Sequence, residues 1–220
     1  RERLTPGTAR YTPVACGLLP CRNVMPECAV MGISSPPVAR QLCHVAGTIA
    51  AADNAFGTIG VAPEAGLLLV KVLQETETCS ASGSFADIIS GIAYATENGA
   101  HVINMSLGAS IPRIGNKGAN KFISELQNAV NKAITYAYQN GTTVIVSAGN
   151  AGTDLDGGDR SAVRFNTQMS HAVGISALAP LNWAGDNGSP LYPASYTNFG
   201  TSMVDFGAPG GDTAYPGNEG

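Results

Sequence analysis

The chain has 220 residues, 44% of them hydrophobic and only 13% charged, against roughly 25% charged in ordinary globular domains. A chain of this size buries about 70% of its unfolded surface, so a real core is available and general disorder is excluded. The net charge of −4 argues against nucleic-acid and anionic-membrane partners, both of which reward basic surfaces.

Residues 1–43 differ from the rest. They hold Cys16, Cys21, Cys28 and Cys43, six of the thirteen prolines, and five Arg against two Glu, a local net of +3. The remaining residues carry seven basic against fourteen acidic side chains, a net of −7. No C-x2-C pair occurs, so zinc is a weak reading of the cysteines and a disulfide framework stays open. The segment reads as an irregular extension or as sequence foreign to its domain, followed by a domain over 44–220. The start at Arg1 without a Met suggests a processed product or a fragment.

From His44 onward the pattern is orderly. Leu67–Leu73 is a short apolar run of the kind that forms a strand buried on both faces. Ser84 with Asp87 makes an S-x-x-D helix start, and a helix is expected over Ser84–Asn98, stopped by Gly99. His101–Ser106 follows as a strand. A second helix is expected over Phe122–Asn140, with Phe122, Leu126, Val130, Ala133 and Ala137 on its inner stripe and Gly141 closing it. Thr142–Ser147 reads as another buried strand and Ala172–Leu178 as a further one. The longest apolar run is far below the about 20 residues of a membrane span.

Strands alternating with helices argue for an α/β fold in three layers, a mostly parallel central sheet with helices on both faces. In such sheets ligands sit at the carboxyl ends of the strands. That directs attention to Ser106-Leu107-Gly108 and Ala148-Gly149-Asn150. Small residues let a substrate backbone approach, and an Asn amide can donate to a developing oxyanion. Either motif alone reads more readily as a tight turn. No G-x-G-x-x-G or G-x-x-x-x-G-K-[ST] follows a strand, which sets nucleotide binding back. Neither H-E-x-x-H nor C-x-x-C occurs, which does the same for catalytic zinc.

Taken in order, six segments resemble subtilisin-like serine peptidases, the subtilases. They are His44-Val-Ala-Gly-Thr-Ile-Ala-Ala, Gly60-Val-Ala-Pro63, Val70-Lys-Val-Leu73, Val102-Ile-Asn-Met-Ser-Leu-Gly108, Ser147-Ala-Gly-Asn150 and Val204-Asp-Phe-Gly-Ala-Pro-Gly210. The resemblance implies a subtilisin-like sheet, cut short at its C-terminus, and peptide-bond hydrolysis by an Asp-His-Ser triad with an Asn oxyanion donor. It further implies a peptide or protein substrate and an extracellular setting. No cofactor is needed for the chemistry.

Carried over residue by residue, the resemblance is uneven. The family's H-G-T-H-V-A-G aligns with Gln41-Leu-Cys-His44-Val-Ala-Gly47. His44 therefore matches the second His, and Gln41 stands at the catalytic one. Gln has no nitrogen that titrates near neutral pH, so it cannot serve as general base. Cys28–Ile33 resembles the strand that should carry the Asp, but the first Asp in the chain is Asp53. Gly200-Thr-Ser-Met203 looks like the nucleophile motif, yet Val204-Asp-Phe follows where the family has Ala-Ser-Pro. Ser202 is read as a decoy, with the nucleophile expected beyond Gly220.

Asn150 matches the oxyanion Asn. Ser82-Gly83-Ser84 and Ser106-Leu107-Gly108 match the two segments that flank an extended peptide by strand addition, and Ala148 and Gly149 match the wall of the pocket for the residue before the scissile bond. Asp53-Asn-Ala-Phe-Gly57 resembles a loop for a structural calcium, with Asn54 the side chain carried over. Ile111–Lys121 resembles an inserted loop beside the cleft. Two functions follow: a serine endopeptidase of which this chain is a fragment inactive alone, or a pseudo-peptidase that binds peptides without cutting them.

Overall fold

A computed structural model describes residues 37–55, 57–75, 81–113, 117–157, 162–165, 168–179 and 192–212; of residues 37–43, 75 and 81 only the backbone is described. Cys16, Cys21, Cys28, Cys79 and the strand-like Cys28–Ile33 lie outside the described residues. The chain divides into two compact units, Arg1–Asp87 and Ile88–Gly220.

In the first unit, α1 spans Pro37–Ala50. The last carbonyls of a helix lack partners within it, and here the following chain supplies them. Val61 N–H donates to the Thr48 carbonyl at 3.0 Å and Ala62 N–H to the Ile49 carbonyl at 2.7 Å. β1 (Gln74–Glu75) and β2 (Ala81–Ser82) form a short antiparallel pair. The run Leu67–Leu73 departs from expectation. It joins no strand, and Leu68 and Leu69 are exposed. A short apolar run shows a preference for burial but not a ladder partner, and among the described residues none pairs with it.

Helix α2 covers Phe85–Glu97. Its N-cap is the expected one: the Ser84 hydroxyl accepts from Asp87 N–H at 3.1 Å and donates to the Asp87 carboxylate at 2.8 Å.

The second unit is built on a parallel four-stranded sheet in the order β3-β5-β7-β8. Its strands are β3 (Val102–Met105), β5 (Thr143–Ser147), β7 (Ala172–Leu178) and β8 (Phe206–Pro209). The register sets Met105 beside Val146 and Ser147 beside Ile175. The fold is thus mixed α/β with a parallel central sheet, as the alternation of strands and helices implies. β5 is half-buried rather than fully buried: Val144 and Val146 are inside, while Thr143 is exposed and Ile145 intermediate.

Helix α3 runs over Lys117–Gln139 and packs against β5. Its buried side chains are Ile123, Val130, Ala133, Ile134 and Ala137. The inner stripe is offset from expectation: Phe122 is 63% exposed, and Ile123 takes the inner place. Both are apolar, so the pattern alone does not fix which one faces inward. The helix also starts five residues earlier than expected. Ser110–Pro112 is strand β4, paired antiparallel with β6 (Ala162–Arg164). The Ile111–Lys121 stretch expected as a loop therefore carries part of a strand and the first turn of α3, with 114–116 outside the described residues. Asn131 on α3 accepts from Ser170 N–H at 2.9 Å, and Tyr138 stacks on His171 with ring centroids 4.4 Å apart.

Candidate functional site

Parallel pairing of β3 with β5, in the register Met105 to Val146, puts the two motifs that follow these strands at the same carboxyl edge. Ser106 and Leu107 are half-buried and Gly108 is exposed. Asn104 Nδ2 donates to the Ser106 hydroxyl at 2.8 Å. Next to them, Ala148 is buried, Gly149 half-buried and Asn150 exposed. Asn150 is exposed, and its side-chain amide has no hydrogen-bond partner among the described residues, which leaves its donors available to a ligand.

Gly149 makes this presentation possible. Its φ of 99° lies where a side chain is strained, and a Cβ there would stand 2.6 Å from Asn198 Nδ2. The chain therefore turns sharply off β5 at Gly149. Ala148 N–H still reaches back into the sheet, donating to the Ile175 carbonyl at 2.8 Å.

A second segment, 196–202, backs the turn. Gly152 N–H donates to the Tyr196 carbonyl at 2.8 Å, Asn198 N–H to Gly149 at 2.9 Å, Phe199 N–H to Thr153 at 3.1 Å and Leu155 N–H to Phe199 at 2.7 Å. The Asn198 side chain, 4% exposed, accepts from Ala151 N–H at 3.1 Å and Thr153 N–H at 3.0 Å. It donates to the Ala148 carbonyl at 2.8 Å.

Farther along, the Asp156 carboxylate accepts from both the backbone N–H and the hydroxyl of Thr201 and of Ser202. The Ser202 hydroxyl is the largest cause, and Thr201 the next, of an Asp156 carboxyl lowered from 3.8 to about 2. A hydroxyl committed to an exposed carboxylate is not poised against an imidazole. Ser202 thus helps to hold this turn through its bonds to Asp156.

The other expected site residues belong to the first unit. His44 lies on α1 and is exposed; the side chain of Gln41 is outside the described residues. Ser82 ends β2, and Gly83 comes so close to the Val72 backbone that a Cβ would meet its carbonyl oxygen at 2.4 Å. Ser84 is the cap of α2, its hydroxyl engaged with Asp87. Gly83 and Ser84 thus have local structural reasons for their identity.

Asn54 is exposed in the loop after α1. Calcium takes six to eight oxygens, carboxylates prominent among them, and no group of three or more His, Cys, Asp or Glu gathers among the described residues. The carbonyl and Asn oxygens of a loop such as Asp53–Gly57 are of the kind that calcium takes, with Phe56 outside the described residues, and no step is assigned to the ion. Among the described residues no helix is long and apolar enough to cross a membrane.

Asn198, Asp156 and Thr197 escape sequence reasoning. Thr197 Oγ1 accepts from Ala177 N–H at 2.8 Å and thereby ties the backing segment to β7. The local signal is Tyr196-Thr-Asn-Phe-Gly200, polar residues before an apolar strand, which does not reveal burial.

Comparison with known proteins bears on the family and the fold. The family model described as "Subtilase family" matches residues 43–219. Subtilisin DY of Bacillus licheniformis is 37% identical over 135 residues, covering 61% of this chain and 42% of that protein. Subtilisin Savinase of Lederbergia lenta is 33% identical over 177 residues, covering 80% and 53%. The chain thus spans about half the length of the curated relatives it matches. The crystal structure of an epidermin leader peptide processing serine protease from Staphylococcus aureus superposes with a TM-score of 0.61, over 78% of this chain and 39% of that one. At 23% identity, that likeness bears on the fold. With a family match over most of its length and the parallel sheet that match implies, the chain belongs to the subtilase family of serine peptidases.

Proposed function

We propose that these residues supply the substrate-facing and oxyanion-stabilising part of a subtilisin-type serine endopeptidase, and that the 220-residue chain on its own holds an extended peptide without cleaving it. The reading is supported by the parallel register of β3 and β5, which sets the segments that follow them, Ser106–Gly108 and Ala148–Asn150, at one carboxyl edge of the sheet, with Asn150 exposed there. An extended peptide along Ser106-Leu107-Gly108 would bring its scissile carbonyl toward Asn150, with Ala148 and Gly149 walling the preceding side chain.

Hydrolysis needs a nucleophile with its proton acceptor. Gln41 stands at the acceptor's position and cannot titrate near neutral pH, and the Ser202 hydroxyl is engaged by Asp156. In subtilisin, a relative of this chain, loss of the nucleophile or the base lowers the rate on the order of 10⁶-fold. Incubation with fluorescein-labelled casein is expected to release no fluorescence above the blank, and a serine-directed phosphonate is expected to leave the protein unlabelled. Turnover blocked by the phosphonate refutes the inactive reading.

The retained substrate segments also favour a second reading, a pseudo-peptidase whose function is peptide binding. Sequencing the flanking DNA in all three frames separates the two. An H-G-T-H and a G-T-S-M-A-[ST]-P in other frames identify a disturbed copy of an active endopeptidase, whereas Gln41 confirmed in frame identifies the binder. An extracellular place of action follows from the same resemblance and is tested by looking for the protein in culture supernatant.

A further inference from the structure

We infer that Asn198 is the positioning residue for Asn150: its buried carboxamide fixes the turn from which the oxyanion donor projects. The inference rests on Asn150 being that donor.

A buried Asn must find partners for its amide, and Asn198 directs its side-chain bonds to one short loop. Its oxygen accepts from the two residues on either side of Gly152, Ala151 and Thr153. Its nitrogen donates to Ala148, the residue before Gly149. Asn150 sits inside this bracket, with its predecessor's carbonyl receiving the Asn198 backbone N–H at 2.9 Å. Asn150 itself is exposed and has no side-chain partner among the described residues. Its direction is therefore set by the backbone that Asn198 holds. Oxyanion stabilisation depends on donors that need no rearrangement when charge develops, so a loosened turn weakens the interaction while leaving the donor chemically intact. Asn198 is itself anchored from behind, because Thr197 Oγ1 accepts from Ala177 N–H on β7.

The test uses the 220-residue chain and two readouts. The first is amide hydrogen exchange resolved by residue. In Asn198→Ala, exchange at Ala151 and Thr153 is expected to rise about tenfold or more, as suits the loss of a hydrogen bond worth about 1.4 kcal/mol, with Val144, Val146 and Ile175 in the sheet unchanged. In Asn198→Asp, which keeps both acceptor bonds but sets a carboxylate oxygen against the Ala148 carbonyl in place of the amide donor, exchange at Ala151 and Thr153 is expected to stay below that of Asn198→Ala. Acceleration across the whole sheet in Asn198→Ala, or exchange at Ala151 and Thr153 as fast in Asn198→Asp as in Asn198→Ala, overturns the proposal. If Asn198→Ala does not fold, Asn198→Ser takes its place in the comparison.

The second readout is the binding of an N-acylated tetrapeptide ending in a free carboxylate, compared with the same peptide ending in an amide. The carboxylate oxygen stands in for the oxyanion. The unsubstituted chain is expected to favour the carboxylate by about tenfold, as suits a charge-assisted hydrogen bond. Asn150→Ala is expected to abolish the preference and Asn198→Ala to cut it severalfold. No preference in the unsubstituted chain refutes the role of Asn150 and reduces Asn198 to a structural clamp. A preference lost in Asn150→Ala but intact in a folded Asn198→Ala overturns the positioning role alone.

Discussion

Substituting Gly149 by Ala combines two costs that the structure separates. The first is conformational. At a φ of 99° a residue with a Cβ occupies a sparsely populated region, which costs about 1–3 kcal/mol. The second is a collision, since the new methyl group would lie 2.6 Å from Asn198 Nδ2. Relief requires the amide to move off the Ala148 carbonyl, leaving buried polar groups unpaired at about 1–3 kcal/mol. Together the substitution is expected to destabilise the protein by about 2–6 kcal/mol, a large share of the roughly 5–15 kcal/mol typical of a domain. Gly152→Ala supplies the control in the same loop. Its φ of 58° is the ordinary left-handed value, and its nearest neighbour, the Ser195 carbonyl oxygen, is 3.2 Å from the added Cβ. That change is expected to cost only about 1–2 kcal/mol. Urea unfolding followed by circular dichroism measures both, with trimethylamine oxide added if Gly149→Ala is too weak to fold in buffer. Equal losses for the two variants would refute the collision with Asn198 and, with it, the tight fit of the turn.

The α3 interface is tested by a pair of truncations. Ile134, 0% exposed, is expected to lose about 2–5 kcal/mol as Ala, whereas Phe122→Ala should stay within about 0.5 kcal/mol; the same urea titration reads both. Asp156 gives a pH signature. Its carboxyl is lowered to about 2 in the folded chain, so its contribution is complete above its unfolded value near 4 and is lost as pH falls through about 2. Carboxyl NMR titration should show that low value and, in Ser202→Ala, a midpoint moved up toward 3.8; an unmoved midpoint removes the Ser202 bond from the account. Asn150→Ala, at an exposed position, should change unfolding free energy by less than about 0.5 kcal/mol, and a larger loss would mean that the side chain holds structure.

What could be read from the sequence divides along a physical line. Periodicity and caps are local, and α2, β7 and the S-x-x-D start at Ser84 lie close to expectation. The inner face of α3 departs from expectation where apolar residues compete for it: Ile123 is buried in place of its neighbour Phe122, Leu126 is only half-buried and Ile134 is buried as well, and hydrophobicity alone does not rank them. Leu67–Leu73 carries the composition of a buried strand, but pairing depends on a partner distant in sequence. The site shows the same division. Ser106-Leu107-Gly108 and Ala148-Gly149-Asn150 stand out because they follow strands. Asn198 does not, because its importance comes from hydrogen bonds to residues 45–50 positions earlier. Gly83 and Ser84 are assigned to substrate by resemblance, while a close backbone approach and a helix cap account for them locally.

Strand β8 has a consequence for handling the protein in concentrated solution. Its residues Phe206–Pro209 are all exposed, with Phe206 at 64%, and among the described residues no strand lies along its outer side. Such a margin can template the addition of another strand. Two features restrain growth there: Pro209 offers no N–H to an incoming ladder, and the net charge of −4 makes copies repel. Salt screens that repulsion, since the Debye length shrinks from about 30 Å at about 0.01 M to about 3 Å at about 1 M. Colloidal stability is therefore expected to fall as ionic strength rises, with dilute, low-salt buffers keeping the chains apart.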